Sequence, residues 1–309
     1  MPNCTKVTVV GSFNTDLSVR TPHMPVRGET ILGGPFTTGP GGKGANQAVA
    51  AARLGAEVSM LVKLGQDVFG DLAAQNLARE GVRTEFVLRS AESHTGVAFI
   101  IVDQDGENTI VVANGTNNFL TPEDVERARP AVCEAQVLLV QLEIPLETVE
   151  AAVRMAHEAG VKVVLNPAPG QPLSPKLLAL VDVLTPNETE AKIISGLPVG
   201  SMQEAETAAR SMLQLGVGAV VITLGGKGAL VVTMQVCTHV PGIPVQVVDT
   251  TGAGDAFSGA LAVALAEGKD LVQAVAFANA AAALKVTRPG TAPAMPQRAE
   301  VQELLGKIF

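Results

Sequence analysis

The sequence predicts an α/β protein: one doubly wound, mostly parallel sheet flanked by helices, with a small β-sheet lid. Three observations point to this. Short apolar runs of strand length recur between stretches whose apolar residues fall at helical spacing, and right-handed crossovers on such an alternation build a parallel sheet. The 309 residues are 47% hydrophobic and only 17% charged, enough to bury a sizeable core as a single domain over 1–309. Two segments break the alternation. Residues 17–40 carry alternating apolar positions and several prolines with no helix pattern, and Asp103-Gln104-Asp105-Gly106 is a hairpin signal between the strand patterns at 95–102 and 109–113. These segments are expected to pair outside the main sheet as a discontinuous lid, approximately 15–40 and 94–115.

In chain order, the first buried strand is expected over 5–10, a glycine-led helix ends at Gly55, and strand, helix and strand follow at 57–62, 68–80 and 86–88. Further strands are expected at 137–141, 161–165, 183–184, 219–223 and 229–233. Helices are expected at 146–158, from 187 onward, at 270–285 and at 298–308. Val245, Val247 and Val248 read as a last strand running into Gly252-Ala253-Gly254, after which Phe257, Leu261 and Leu265 lie on one face of an amphipathic helix. A strand that breaks at two glycines and restarts as a helix leaves unpaired N–H groups at the positive end of a helix dipole, a site for an anion. Asp255 stands in the first turn of that helix. A carboxylate there is either an ordinary stabilising acid or a group facing a hydroxyl that must lose its proton while phosphate reaches it.

Other polar residues fall at or just past strand ends, where ligands collect in open α/β sheets: Asn14, Asp16, Glu143, Asn187, Thr223 and Asp249. Asn14 and Asp16 also read as turn formers. Asn187 with Glu190 has the spacing of a helix cap, which is favoured over an outer-shell role at Mg²⁺. The run Gly39-Pro40-Gly41-Gly42-Lys43-Gly44-Ala45-Asn46-Gln47 precedes a helix but is not a Walker loop, because Gly44 follows Lys43 and Thr37 occupies the required first glycine position. Close backbone approach with Lys43 and Asn46 as donors suits a sugar better than a triphosphate; a glycine-rich hinge is the competing account. The turn Gly225-Gly226-Lys227-Gly228 either closes a hairpin or admits a nucleotide, and Asn279 is either an exposed spot or a purine-side contact.

The formal charge of −8, with no Trp or Tyr and nine Phe, argues against nucleic-acid binding. The Ala-rich stretch 274–286 is too short to span a bilayer. Cys4, Cys133 and Cys237, widely spaced and odd in number, read as reduced, mostly buried thiols of a cytoplasmic protein, and the four scattered histidines suggest no zinc site.

The stretches 249–259 (Asp-Thr-Thr-Gly-Ala-Gly-Asp-Ala-Phe-Ser-Gly) and 41–48 (Gly-Gly-Lys-Gly-Ala-Asn-Gln-Ala) together resemble the two signatures of the PfkB family of sugar kinases, and the likeness runs from Val10 to Gly290. That resemblance implies ATP-dependent phosphorylation of D-ribose at its 5-hydroxyl, with Asp255 as general base and the N–H groups of Gly252, Ala253 and Gly254 as anion hole. It implies sugar contacts from Asn14, Asp16, Gly42, Lys43, Asn46 and Glu143. It places Asn187, Thr223, Gly225, Gly226, Gly228, Gly254 and Asn279 at ATP, and Glu190 near hydrated Mg²⁺. A monovalent cation, K⁺, is implied at Asp249, Thr251, Lys285, Arg288 and Gly290, although Ala294 stands where relatives often carry Ser. A homodimer through the β lid is implied as well. The alternatives are a kinase for 2-keto-3-deoxygluconate or fructose, and a non-catalytic sugar or nucleotide sensor on the same scaffold.

Overall fold

The computed structural model describes residues 5–307, so Cys4 and the end of the last helix at 308 lie outside the described residues. The chain opens with β1 (Lys6–Val10), then β2 (Asn14–Arg20), β3 (Phe36–Gly41), α1 (Lys43–Arg53), β4 (Glu57–Gly65), α2 (Val68–Arg79) and β5 (Val87–Ser90). A hairpin of β6 (Gly96–Val102) and β7 (Asn108–Ala113) follows, then α3 (Pro122–Arg127), α4 (Arg129–Glu134), β8 (Val137–Val140), α5 (Leu146–Glu158) and β9 (Lys162–Leu165). Next come α6 (Pro175–Leu178), β10 (Val183–Leu184), α7 (Glu188–Ser195), α8 (Met202–Gln214) and the strands β11 (Ala219–Thr223), β12 (Gly228–Val232) and β13 (Cys237–Pro241). The helices α9 (Ala253–Ala266), α10 (Leu271–Lys285) and α11 (Arg298–Gly306) close the chain.

Nine strands form the main sheet in the order β13-β12-β11-β10-β9-β8-β1-β4-β5. It is parallel from β5 to β11 and antiparallel at the β11-β12-β13 edge. Its inner strands are largely apolar because both faces are covered, whereas the edge strands β5 and β13 are partly exposed. Val7 and Val9 point into a core built with α1, α9 and α10, while Val10 joins the opposite core with α5 and α8. That two-sided burial is the doubly wound arrangement expected.

The second sheet, β3-β2-β6-β7, pairs the early excursion with the hairpin. Its register puts Leu17 beside Thr38 and Phe99, and Phe99 beside Val111. Period-two alternation then sends Asp16, Ser18, Ile100 and Ile110 to the face over a cleft, and Phe36, Phe99 and Val111 to the other, where they are exposed.

Three expectations need correction. No strand leads into the Gly252 turn: after β13 ends at Pro241, residues 242–252 cross the top of the sheet, and Val247 and Val248 are each 58% exposed. Pro241 and Pro244 cannot donate to a ladder, and Val248 N and Asp249 N instead donate to Val286 O. Nor is α9 amphipathic. It is buried from Asp255 through Leu265, with α1 and α10 packed against it. Gly259 permits that approach, since a Cβ there would stand 2.7 Å from both Ala50 Cβ and Gln47 O. Finally, Cys237 is exposed on the edge strand β13 and Cys133 is half-buried.

Candidate active site

The carboxyl ends of β1, β8, β9, β10 and β11 and the N-termini of α1, α7 and α9 converge on one edge of the sheet. A crevice of about 180 Å³ opens there, lined by Lys43, Asn166, Asn187, Glu190, Thr223, Gly252, Ala253, Gly254 and Asp255, among others. A larger cleft of about 590 Å³ lies under the small sheet, with Asp16, Asp249, Thr251, Gly290 and Thr291 on its walls.

Gly252 caps α9 in the left-handed region (φ 77°), closing a turn in which Ala253 N donates to Thr250 O at 3.1 Å. The Ala253 N–H is therefore already engaged, contrary to the three-donor anion hole expected. Among the described residues the N–H groups of Gly252, Gly254 and Asp255 have no partner, as a helix N-terminus leaves them. Asp255 is 6% exposed yet lines the crevice. Its Oδ2 accepts from Asn46 Nδ2 at 2.9 Å and its Oδ1 from Gln47 Nε2 at 3.0 Å. Gln47 is fixed in turn by donating to Asn166 Oδ1 and accepting from Gln141 Nε2 at 2.6 Å. Burial pushes the Asp255 carboxyl above its ordinary value, against the Lys43 charge and the two amide hydrogen bonds. It is a stronger base than a solvated aspartate.

The N-terminus of α1 shows why glycine precedes it. Gly42 has φ 86°, and a Cβ there would stand 2.6 Å from Asn14 N; at Gly44 it would stand 2.5 Å from Ser12 N. Glu143 caps this end, accepting from Lys43 N at 2.9 Å and from Ser12 Oγ. Burial pulls the Lys43 ammonium down, but Asp255, Glu143 and Glu190 outweigh it and hold the group above its usual range. Asn14 is buried and its Oδ1 accepts from Asn117 Nδ2. Asp16 is pushed up to about 6, chiefly by burial, with Thr291 opposing and Glu143 and Asp255 adding repulsion.

Asn187 and Glu190 form the capping box of α7, each side chain accepting from the other's backbone N–H, as the cap reading expected. Both also line the crevice. Gly225 and Gly226 face open space in the β11–β12 turn, whereas Gly228 packs on Val240 O. Asn279 is neither exposed nor free: buried, it donates from Nδ2 to Val240 O and Pro241 O, tying α10 to β13. These four residues do not line the Asp255 crevice.

Asp249 accepts from Thr251 N at Oδ1 and from Gly290 N at Oδ2, and its carbonyl accepts from Lys285 Nζ at 2.8 Å. Burial raises its carboxyl, but those hydrogen bonds and the Lys285 charge prevail and leave it below the usual value. Arg288 pairs with Glu300 instead of turning toward this loop.

Sequence reasoning missed Gln47, Gln141 and Asn166. Gln47 directly follows Asn46, and Gln141 and Asn166 stand just past β8 and β9, so the strand-end rule reaches all but the first.

The pfkB family carbohydrate kinase model matches residues 4–298. The chain belongs to the pfkB family of carbohydrate kinases. Its relatives include a protein of Haemophilus influenzae named ribokinase, 44% identical over 299 residues, which are 97% of this chain and 98% of that one. They also include a Salmonella typhi protein named deoxyribokinase, 40% identical over 300 residues, again 97% and 98%. The structure of Arabidopsis thaliana ribokinase complexed with ribose and ATP superposes with a TM-score of 0.92 at 36% identity, covering 98% of this chain and 99% of that chain. The two stretches that carry the pfkB resemblance meet in space at the Asn46–Asp255 hydrogen bond, so they form one site.

Proposed function

We propose that this chain transfers the γ-phosphoryl group of ATP to the 5-hydroxyl of D-ribose by direct in-line displacement. One observation carries the reading: a buried carboxylate, clamped by Asn46 and Gln47, sits beside unpaired N–H groups at the start of α9 and lines an open crevice. Asp255 orients the hydroxyl and takes its proton as the new P–O bond forms, while the Gly252 and Gly254 N–H groups stabilise charge on the transferring group. Ribose is held by Asn14, Asp16, Gly42, Lys43, Asn46 and Glu143. The nucleotide runs toward Asn187, Thr223, Gly225 and Gly226, with Gly228 and Asn279 supporting that end from behind. Oxygen donors on Asn187 and Glu190 fit a hydrated Mg²⁺, which when bound neutralises phosphate charge. The small sheet acts as the lid, excluding water over the larger cleft.

The likeness to a deoxyribokinase favours a second reading, 2-deoxyribose as substrate. ADP release measured across ribose, 2-deoxyribose, fructose and 2-keto-3-deoxygluconate separates them. Ribose is expected to give the highest kcat/KM, and no preference for it would overturn the first reading.

The outer face of the small sheet, with Phe36, Phe99 and Val111 exposed, is the surface for a second copy of the chain. Phe99→Asp is expected to convert a dimer to monomer in analytical ultracentrifugation. A wild-type protein that sediments as a monomer would remove this interface.

A further inference from the structure

Lys285 is the largest fully buried side chain among the described residues. A lysine is rarely buried so completely unless its charge has work to do. It ends α10, where the helix carbonyls carry partial negative charge, and its Nζ donates to the carbonyl of Asp249. The same end of α10 takes Val248 N and Asp249 N on Val286 O. Three residues beyond Asp249, Gly252 turns into α9 and presents the unpaired N–H groups. The ammonium thus stands directly behind the loop that shapes the phosphoryl site; burial pulls it below its usual range, and the charges of Asp249 and Asp255 oppose that pull.

This is the loop where family resemblance places a monovalent cation, and a fixed ammonium already sits at its Asp249 carbonyl. The Asp249 carbonyl is taken by Lys285 and both Asp249 carboxylate oxygens by backbone N–H groups. Ala294 brings no hydroxyl. A second cation beside a buried ammonium would also meet strong repulsion in this weakly screened place.

We propose that Lys285 is a covalently attached replacement for that ion: its ammonium ties loop 249–252 to α10 and supplies positive charge behind the anion hole, so activity requires no added monovalent cation. The inference rests on the phosphoryl-site reading of Gly252 and Gly254, and Lys285 acts through them as a positioning residue.

The test compares full-length wild type, Lys285→Ala and Lys285→Met with tetramethylammonium or K⁺ as the sole monovalent cation, at fixed Mg²⁺ and ATP. Wild-type kcat is expected to differ by less than about twofold between the two salts. Lys285→Ala is expected to lose ~10–100-fold in kcat in tetramethylammonium, less than the ~10²–10³ lost with a donor that touches the transferring group, and to regain most of it in K⁺. Lys285→Met, which fills the space without charge, is expected to stay low in both. Melting temperatures give a readout independent of turnover: K⁺ should raise that of Lys285→Ala and leave wild type unmoved. Wild-type activation by K⁺ of more than about fivefold, or a K⁺-dependent wild-type melting temperature, would overturn the proposal while leaving the kinase reading intact. So would a loss in Lys285→Ala that K⁺ does not relieve, since the residue would then be packing alone. If neither variant folds, the wild-type arms decide.

Discussion

Asp255→Asn is expected to lower kcat by ~10²–10⁴, the usual worth of a positioned general base, while changing ribose affinity only a few-fold. The substitution keeps the shape of the side chain and removes its capacity to take a proton. It also turns an amide NH₂ toward one of two existing donors, Asn46 Nδ2 or Gln47 Nε2, because a carboxylate accepts at both oxygens and an amide at one. Steady-state ADP release with calorimetric titration of ribose separates chemistry from binding. Turnover within a few-fold of wild type would remove Asp255 from the mechanism.

Asp16→Asn is expected to stabilise the free protein and to weaken its hold on ribose. The sign follows from the folded value of about 6 against an ordinary 3.8. The folded state keeps a proton that the unfolded chain releases, so stability falls as pH rises from about 4 through about 6 and stays reduced above that. Two pKa units correspond to about 3 kcal/mol. Replacing the carboxylate removes that penalty, so urea unfolding at pH 8 should show a gain of roughly 2–3 kcal/mol that shrinks toward pH 4. The same change deletes an ionised acceptor proposed to face sugar hydroxyls, worth ~1.5–3 kcal/mol, or roughly 10–100-fold in ribose Kd. Wild-type ribose affinity should correspondingly decline below pH 6. A variant less stable than wild type at pH 8, or one that binds ribose equally well, contradicts this account of Asp16.

Much of this architecture could be read from residue order. Helix 146–158 and strand 219–223 were expected at the limits the structure gives them, because each is bounded by a clear change of period. The glycine-led helices and strand-end polar residues also brought most of the site together in advance. What escaped has physical causes. Val245, Val247 and Val248 alternate as a strand does, but nothing local reveals that the sheet already ends at β13 and the chain must return across its top. Phe257, Leu261 and Leu265 suggested one apolar face, while the Ala and Gly residues between them allowed burial on every side. Asn279 and Gln47 are polar groups whose partners are more than thirty residues away, so no spacing rule reaches them.

The pairing of β2 with β6 has a further consequence. Neighbouring residues on these strands look in opposite directions, Asp16 toward the cleft and Leu17 toward the outside, and Phe99 sits opposite Leu17. Inserting or deleting one residue in β2 would therefore exchange the two populations at a stroke, placing acid on the proposed subunit contact and apolar side chains over the cleft. The proposed Asp16 contact to sugar and the proposed contact to a second subunit would be inherited or forfeited together, bound by nothing more than the parity of a strand.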